Sequence, residues 1–294
     1  MLYLIKTLTL YSYVAVEQIM DLMENVMKTL LKGTIVACAL ILPQIANAAL
    51  VTQWEYEVFS EWTGASFSSG NGTTIQDASE ISWGFGGGDY TNQAAGSGTA
   101  RSALIIGDNP ATGTDMVTGS GIPALTNIIT HWNNTLSNTF KTLVGAQLKT
   151  TLKLKPYLPV EADDFFPAKE LNFTINFTET LNDSDCGFVS ESSCDDIFVI
   201  SIGNLADSFW YDGVKYTTNI VETTLSLTGL SADACAEAGA APGCLGFQTK
   251  EKEATTAQFG LLINAEIPEP VGIAVIGLGL MGFVLYGRRS LVRK

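Results

Sequence analysis

The stretch LNFTINFT, residues 171–178, alternates apolar and polar side chains with a period of two. In an extended chain this period places the apolar side chains on one face and the polar ones on the other, which is typical of a half-buried β-strand. The same alternation recurs in QWEYEVFS at 53–60, QLKTTLKL at 147–154 and TTLSLTGL at 223–230. These four segments predict an all-β fold.

Two continuous apolar runs, IFVISI at 197–202 and FGLLI at 259–263, are typical of central strands that are buried on both faces. Turn-forming residues are concentrated between the strands, and a short helical turn is expected at 231–241. Short strands separated by polar turns favour a single β-sandwich domain, jelly-roll-like, over residues 49–265. The turn-rich stretches are 84–98, 107–115 and 181–187.

The composition of the chain is strongly acidic. Its 294 residues include 16 Lys+Arg against 30 Asp+Glu, which gives a formal net charge of −14. Because proteins that bind nucleic acid neutralise phosphates with basic side chains, we expect no nucleic-acid partner. An acidic surface instead keeps an extracellular protein soluble and attracts divalent cations.

Four of the five cysteines lie in the predicted sandwich, at Cys186, Cys194, Cys235 and Cys244. An even number of cysteines in an exported domain indicates two disulfides. Proximity in sequence favours the pairs Cys186–Cys194 and Cys235–Cys244, although four thiols allow two other connectivities. A zinc site with four cysteines is the competing interpretation, but spacings of eight and nine residues are wide for zinc ligands.

The segment MKTLLKGTIVACALILPQIANA, residues 27–48, has the order of a secretory signal peptide. Lysines precede a short apolar stretch, and Ala46 and Ala48 form a small-residue cleavage site. We expect cleavage after Ala48, with a lipoprotein box ending at Cys38 as the alternative. Residues 1–26 carry acidic side chains that do not suit a signal peptide, so we expect a mis-assigned start or a disordered segment there.

Three features follow one another in the C-terminal part of the sequence. Pro-Glu-Pro at 268–270 is followed by the uncharged stretch VGIAVIGLGLMGFVLYG at 271–287 and by the basic segment RRSLVRK at 288–294. Seventeen uncharged residues reach the short limit for a transmembrane helix, and the basic segment would stay in the cytoplasm. We therefore expect an exported body with a C-terminal membrane helix.

These three features together resemble the PEP-CTERM sorting signal of Gram-negative bacteria, over residues 267–294. The resemblance implies that an exosortase-type membrane transpeptidase recognises the motif and removes the helix. The body would cross the inner membrane, with which it is associated transiently, and reach the cell surface or the exopolysaccharide matrix. A plain tail anchor is the alternative. The sorting residues implied by the resemblance are Pro268, Glu269, Pro270, Arg288 and Arg289.

A second motif, Thr130-His131-Trp132-Asn133-Asn134, resembles the signature of the THxN family of PEP-CTERM proteins. Ser82-Trp83-Gly84 and Ser102-Ala103-Leu104 are similar to two further elements of that family. The resemblance implies an exosortase substrate without enzymatic activity. The family-motif residues are Thr130, His131, Asn133 and Asn134.

His131 is the only histidine, which excludes metal sites that need two imidazoles and leaves a Ser-His-Asp triad only this one base. On a strand, His131 and Asn133 face one side and Trp132 faces the other. The pair could serve function, by contacting sugar or a metal ion at a loop mouth. It could instead be structural, with both side chains bonding nearby backbone groups. We favour the structural interpretation, and we name no catalytic residue and no metal ligand.

We expect no cofactor, while loosely bound calcium near Asp163-Asp164 or Asp195-Asp196 stays open. The leading functional prediction is a non-catalytic structural or interaction protein of the cell surface or biofilm matrix. An extracellular carbohydrate-binding module, with or without calcium, is the alternative, and a polysaccharide hydrolase is the third. The tryptophans are expected in the core more often than on a sugar, namely Trp54, Trp62, Trp83, Trp132 and Trp210.

Overall fold

The stretch with the clearest alternation forms a strand, β8 (Lys169–Thr178), which buries Phe173, Ile175 and Phe177 and turns the residues between them outward. The computed structural model describes Met23 and residues 49–180, 186–201 and 206–266. Within the three ranges between residues 49 and 266, the chain forms fourteen strands and one short helix. The prediction of an all-β fold is confirmed.

The remaining strands follow each other along the chain with few long gaps. They are β1 (Gln53–Phe67), β2 (Thr73–Gln76), β3 (Glu80–Gly84), β4 (Arg101–Gly107), β5 (Ala111–Val117), β6 (Ala124–Trp132), β7 (Leu143–Leu158), β9 (Asp196–Ser201), β10 (Ala206–Tyr211), β11 (Val214–Glu222), β12 (Thr228–Gly229), β13 (Leu245–Thr249) and β14 (Ala254–Glu266). The helix α1 spans Ala232–Glu237 and lies between β12 and β13.

The strands form two seven-stranded sheets whose named strand pairs are all antiparallel. The first sheet has the order β12-β13-β9-β8-β7-β1-β5, and the second has the order β10-β11-β14-β6-β4-β3-β2. The long strand β1 pairs with β7 along almost its whole length, from Gln53 opposite Leu158 to Phe67 opposite Leu143. Strands β7, β8 and β9 form a meander in the first sheet, and β2, β3 and β4 form one in the second.

Aromatic contacts join the two sheets through their inner faces. Trp83 on β3 packs edge-on against Phe177 on β8, with ring centroids 5.2 Å apart. Toward the other end, Trp54 on β1 packs against Tyr216 on β11 at 4.9 Å. The apolar core therefore lies between the sheets and forms two main clusters, one around each tryptophan.

Five of the six predicted strand segments lie in strands, but the segment at 223–230 does not. Strand β11 ends at Glu222, and the next strand comprises only Thr228–Gly229. Leu225 has a φ of 61° and is 82 % exposed. The hydroxyl groups of Thr224 and Ser226 donate to the carbonyl of Thr256 at 3.2 and 2.7 Å, so side chains replace the strand ladder here. The turn predicted at 107–115 is also too long, because β5 begins at Ala111.

Both disulfides favoured by sequence proximity are present, Cys186–Cys194 and Cys235–Cys244, with Cα–Cα distances of 5.3 and 5.8 Å. The first closes the connection between β8 and β9, and the second ties α1 to the start of β13. The helical turn predicted at 231–241 corresponds to α1, which begins where the Ser231 side chain accepts a hydrogen bond from the Ala234 amide.

The predicted targeting segments lie outside the described residues. This applies to the signal peptide at 27–48 with Ala46 and Ala48, to the sorting motif at 268–270 and to the helix and basic segment at 271–294. In the part of the chain that the structure describes, no helix has the length and hydropathy needed to cross a bilayer.

Candidate functional site

Strand β6 carries the only histidine into the interior of the domain. His131 is 0 % exposed, lies parallel to Trp83 with ring centroids 6.2 Å apart and meets the edge of Phe177 at 4.9 Å. Phe247 of β13 adds a third ring at 6.5 Å. Because alternate residues of a strand face the same side, Asn133 is buried as well, whereas Trp132 is half-buried.

The His131 imidazole is electrically neutral at neutral pH. Its Nε2 lies 3.6 Å from Oδ2 of Asp196, which is too long for a hydrogen bond. Neither ring nitrogen has a hydrogen-bond partner among the described residues. Burial away from water lowers the pKa of His131 to about 3, since the charged form loses its hydration.

The carboxyl group of Asp196, at the start of β9, lies next to this imidazole, and that of Glu179, directly after β8, interacts with Asp196. Asp196 is 0 % exposed, and its Oδ1 accepts a hydrogen bond from the Thr180 amide at 2.9 Å. Glu179 is half-buried as a residue, and its Oε2 accepts from Nε1 of Trp83 at 2.7 Å. The two carboxyl groups interact electrostatically, and besides burial the charge of Glu179 raises the pKa of Asp196.

A third carboxyl group, from Glu251, interacts electrostatically with the first two. Glu251 lies in the turn between β13 and β14 and accepts hydrogen bonds from Nδ2 of Asn133 at 3.2 Å and from Oγ1 of Thr135 at 2.8 Å. Nδ2 of Asn133 also donates to the carbonyl of Thr249 at 2.9 Å. We call Glu179, Asp196 and Glu251 the buried carboxyl cluster.

All three pKa values in the buried carboxyl cluster are raised. Burial raises the pKa of Glu179 to about 8, while the hydrogen bond from the Trp83 indole acts in the opposite direction. The pKa of Asp196 is well above its usual range because of burial first and then the negative charges of Glu179 and Glu251. Burial is also the main cause of the raised pKa of Glu251.

The remaining family-motif residues make internal contacts too. Nδ2 of Asn134 donates to the carbonyls of Tyr90 and Arg101 at 2.6 and 2.7 Å, which ties the end of β6 to the long loop before β4. Thr130 shares a hydrogen bond with Thr256 of the neighbouring strand, at 3.0 Å between the hydroxyl oxygens. The motif therefore lies where β6 meets three other parts of the fold.

Arg101 is an organising residue that the sequence analysis did not single out. It is 2 % exposed and donates from Nε to Oγ of Ser82 at 2.9 Å and from Nη1 to Oγ1 of Thr73 at 3.1 Å. It also reaches the carbonyl of Phe85 at 3.3 Å, so it fixes the start of the glycine-rich loop. It is the only arginine in the described ranges, and this isolation in sequence is the one signal that could have identified it.

The tryptophans divide between the core and the surface. Trp54, Trp62 and Trp83 are at most 3 % exposed, whereas Trp210, on the edge strand β10, is 67 % exposed. The expectation of a core position is therefore wrong for Trp210. It lines a groove of about 340 Å³ whose other walls include Phe166, Phe209, Lys169 and Asp207. Lys169 Nζ and Asp207 Oδ1 form an ion pair at 3.2 Å in this groove.

The two acidic pairs considered for calcium differ in their surroundings. Asp163 and Asp164 are exposed, whereas Asp195 is 2 % exposed and accepts from the amides of Glu191 and Ser192 at 2.9 and 3.0 Å. Over the described ranges, no three histidine, cysteine or acidic side chains are arranged to hold a metal ion.

No protein-family model matches the chain, and no curated protein matches it either.

Proposed function

We propose that this chain is an exported, non-catalytic structural or interaction protein of the cell surface or the exopolysaccharide matrix. The observation that carries the proposal is the position of the motif side chains. His131, Asn133 and Asn134 are at most 1 % exposed and are enclosed by the protein's own groups, so they hold the domain together and cannot meet a polymer in solution.

Two further observations support export. The domain has two disulfides, which form and persist in oxidising compartments outside the cytosol. The segments at 27–48 and 267–294 resemble a signal peptide and an exosortase sorting signal. In this proposal an exosortase-type enzyme in the inner membrane is the processing partner, and the body is a sandwich of two sheets, for which the jelly-roll-like classification stays a prediction.

The test is mass spectrometry of the protein recovered from its producing cells. We expect an N-terminus at Ala49, a C-terminus close to Pro270 and both cystines intact. Changing Glu269→Ala should leave the C-terminal segment attached and the protein in the membrane fraction, whereas Glu253→Ala, which changes an exposed acid of the described body, should not. Full-length protein with reduced thiols in the cytosol would contradict the proposal.

A second candidate, carbohydrate binding, is favoured by the groove at Trp210. An exposed indole beside a Lys169–Asp207 pair offers a flat apolar face together with hydrogen-bonding groups, the combination that suits a sugar ring. Affinity electrophoresis in gels containing purified neutral or acidic polysaccharides tests it. Trp210→Ala should weaken retention about tenfold, equivalent to about 1.4 kcal/mol. Leu225→Ala, at another highly exposed apolar residue, should leave retention unchanged, and equal retention of both variants and the parent protein would contradict this candidate.

A further inference from the structure

The arrangement of oxygen atoms between Glu179 and Asp196 leaves two of them without a donor. One oxygen of each carboxyl group is occupied, Oε2 by the Trp83 indole and Oδ1 by the Thr180 amide. The other two, Glu179 Oε1 and Asp196 Oδ2, are inaccessible to solvent and have no hydrogen-bond donor among the described residues. Since buried polar atoms in folded proteins are nearly always paired, each of these two oxygens lacks a hydrogen-bond donor that its burial requires.

The surroundings of the pair contain no positive charge that could balance two carboxylates. Across residues 49–180, 186–201 and 206–266, the only basic side chain within 4.0 Å of either group is His131, from β6, which is neutral. The turn after β13 contributes Glu251, whose own charge interacts with Asp195 and Lys252. Two adjacent buried carboxylates repel each other and lose hydration, so both cannot ionise without a large cost.

We propose that Glu179 and Asp196 share one proton in the folded protein, and that this proton acts as a latch that fastens the β8–β9 end of the first sheet and loosens in alkaline solution. A proton between the two unoccupied oxygens gives each of them a hydrogen-bond partner and removes one of the two charges. The arrangement is that of carboxyl pairs elsewhere that hold one proton because like charges lie close together.

The latch lies beside the segment that is closed by the first disulfide. Thr180, next to Glu179 in sequence, also donates through its hydroxyl group to the carbonyl of Cys194, which precedes Asp195 and Asp196. Ionisation of both carboxyl groups would therefore weaken the contacts that hold the end of β8 against the start of β9. The effect should appear first in the Cys186–Cys194 segment and not in the centre of the sheets.

The direction of the pH effect follows from which state binds the proton more tightly. The folded state holds the carboxyl proton above the usual carboxyl range, so stability declines as the pH rises from about 4.5 to about 8. His131 acts in the opposite direction, because its folded-state pKa lies below 6.5, and it reduces stability only as the pH falls below that value. The range from about pH 6.5 to about pH 8 therefore isolates the carboxyl pair from the histidine.

The experiment is urea unfolding of the exported protein, with disulfides intact, followed by tryptophan fluorescence across this range. Loss of one proton reduces the ratio of folded to unfolded protein by up to about tenfold for each pH unit. Glu179→Gln and Asp196→Asn each replace the shared proton with an amide N–H, so each should flatten the dependence, and the double variant should abolish it. Glu253→Gln, an exposed acid on the neighbouring turn, should keep the parental dependence.

Infrared spectroscopy gives a readout that does not depend on unfolding. At about pH 7 the parent protein should show the C=O stretch of a protonated carboxyl group, and the double variant Glu179→Gln/Asp196→Asn should lack it. Hydrogen exchange at the Thr180 amide should accelerate above about pH 8 beyond the intrinsic change. The proposal is overturned if the parent protein shows no such band, or if the double variant keeps the parental pH dependence; where the variants do not fold, the band in the parent protein decides.

Discussion

At the scale of single residues, His131 contributes to the core through the shape of its ring and not through charge or hydrogen bonds. Its ring fills a space between Trp83, Phe177 and Phe247, yet its nitrogens have no hydrogen-bond partners among the described residues. The side chain therefore acts as a flat, largely apolar plate in the core. This explains how a residue type that usually indicates chemistry can have a structural role in a motif.

We predict that His131→Ala lowers the free energy of unfolding by about 2–4 kcal/mol, because it leaves a cavity among three aromatic rings. His131→Phe keeps a flat ring in this space and should lower the free energy of unfolding by about 1.5 kcal/mol or less. It should also remove the loss of stability that the parent protein shows as the pH falls from 6.5 toward 3, since Phe has no proton to bind. The measurement is urea unfolding at several pH values, and a His131→Phe protein less stable than His131→Ala would indicate a polar role.

The sequence predicts the residues of the motif but not the acids that surround it. Asn133 and His131 are two positions apart on a strand, so their common side follows from backbone geometry alone. Glu179 and Glu251 are 48 and 120 residues away from His131 in sequence, and only the pairing of β6 with β14 and the packing of the sheets bring them to Trp83 and Asn133, which lie beside it. Local patterns contain no information about such contacts.

At the scale of elements, the strands that sequence alternation predicts correctly are those with a buried face. Strand β7 alternates regularly, with Leu148, Leu152 and Leu154 directed inward. The segment at 223–230 has the same alternation, but Leu225 has nothing to cover it, and hydroxyl groups bond to the neighbouring backbone instead. Threonine and serine fit both structures, so the period of two could not distinguish a strand from a turn there.

Close backbone approach between β9 and β13 gives a prediction at this scale. A Cβ atom added at Gly246 would lie 2.0 Å from the carbonyl oxygen of Phe198, whereas one added at Gly229 would meet nothing within 4 Å. We predict that Gly246→Ala lowers the free energy of unfolding by about 3 kcal/mol or more, because the two strands must separate. Gly229→Ala should change it by less than about 1 kcal/mol. Urea unfolding of both variants is the measurement, and equal stabilities would show that the strands can move apart without cost.

At the scale of the whole molecule, the domain from Ala49 to Glu266 starts and ends at the same end of the two sheets. The Ala49 amide donates to Asp212 at 3.1 Å, and Glu266 pairs with Lys215 in the neighbouring strand. The buried carboxyl cluster lies at the opposite end, where β6 finishes and β14 begins. Sequence patterns predict the all-β class and both disulfides. The placement of the chain ends and of the buried carboxyl cluster at opposite ends of the sheets depends on strand order, which alternation does not specify.

The disulfides and the core have separate roles in the stability of the whole domain. Each disulfide closes a loop of fewer than about ten residues, which limits its contribution to about 3 kcal/mol. The two sheets are held by a core that includes three nearly inaccessible tryptophans, and neither disulfide joins one sheet to the other. We therefore predict that Cys235→Ser/Cys244→Ser lowers the melting temperature by about 6–12 °C at most and leaves the far-UV circular dichroism of the folded protein unchanged. Thermal unfolding of this variant and of Cys186→Ser/Cys194→Ser provides the measurement. Loss of the folded spectrum at room temperature in either variant would mean that a cystine, and not the packing between the sheets, holds this domain together.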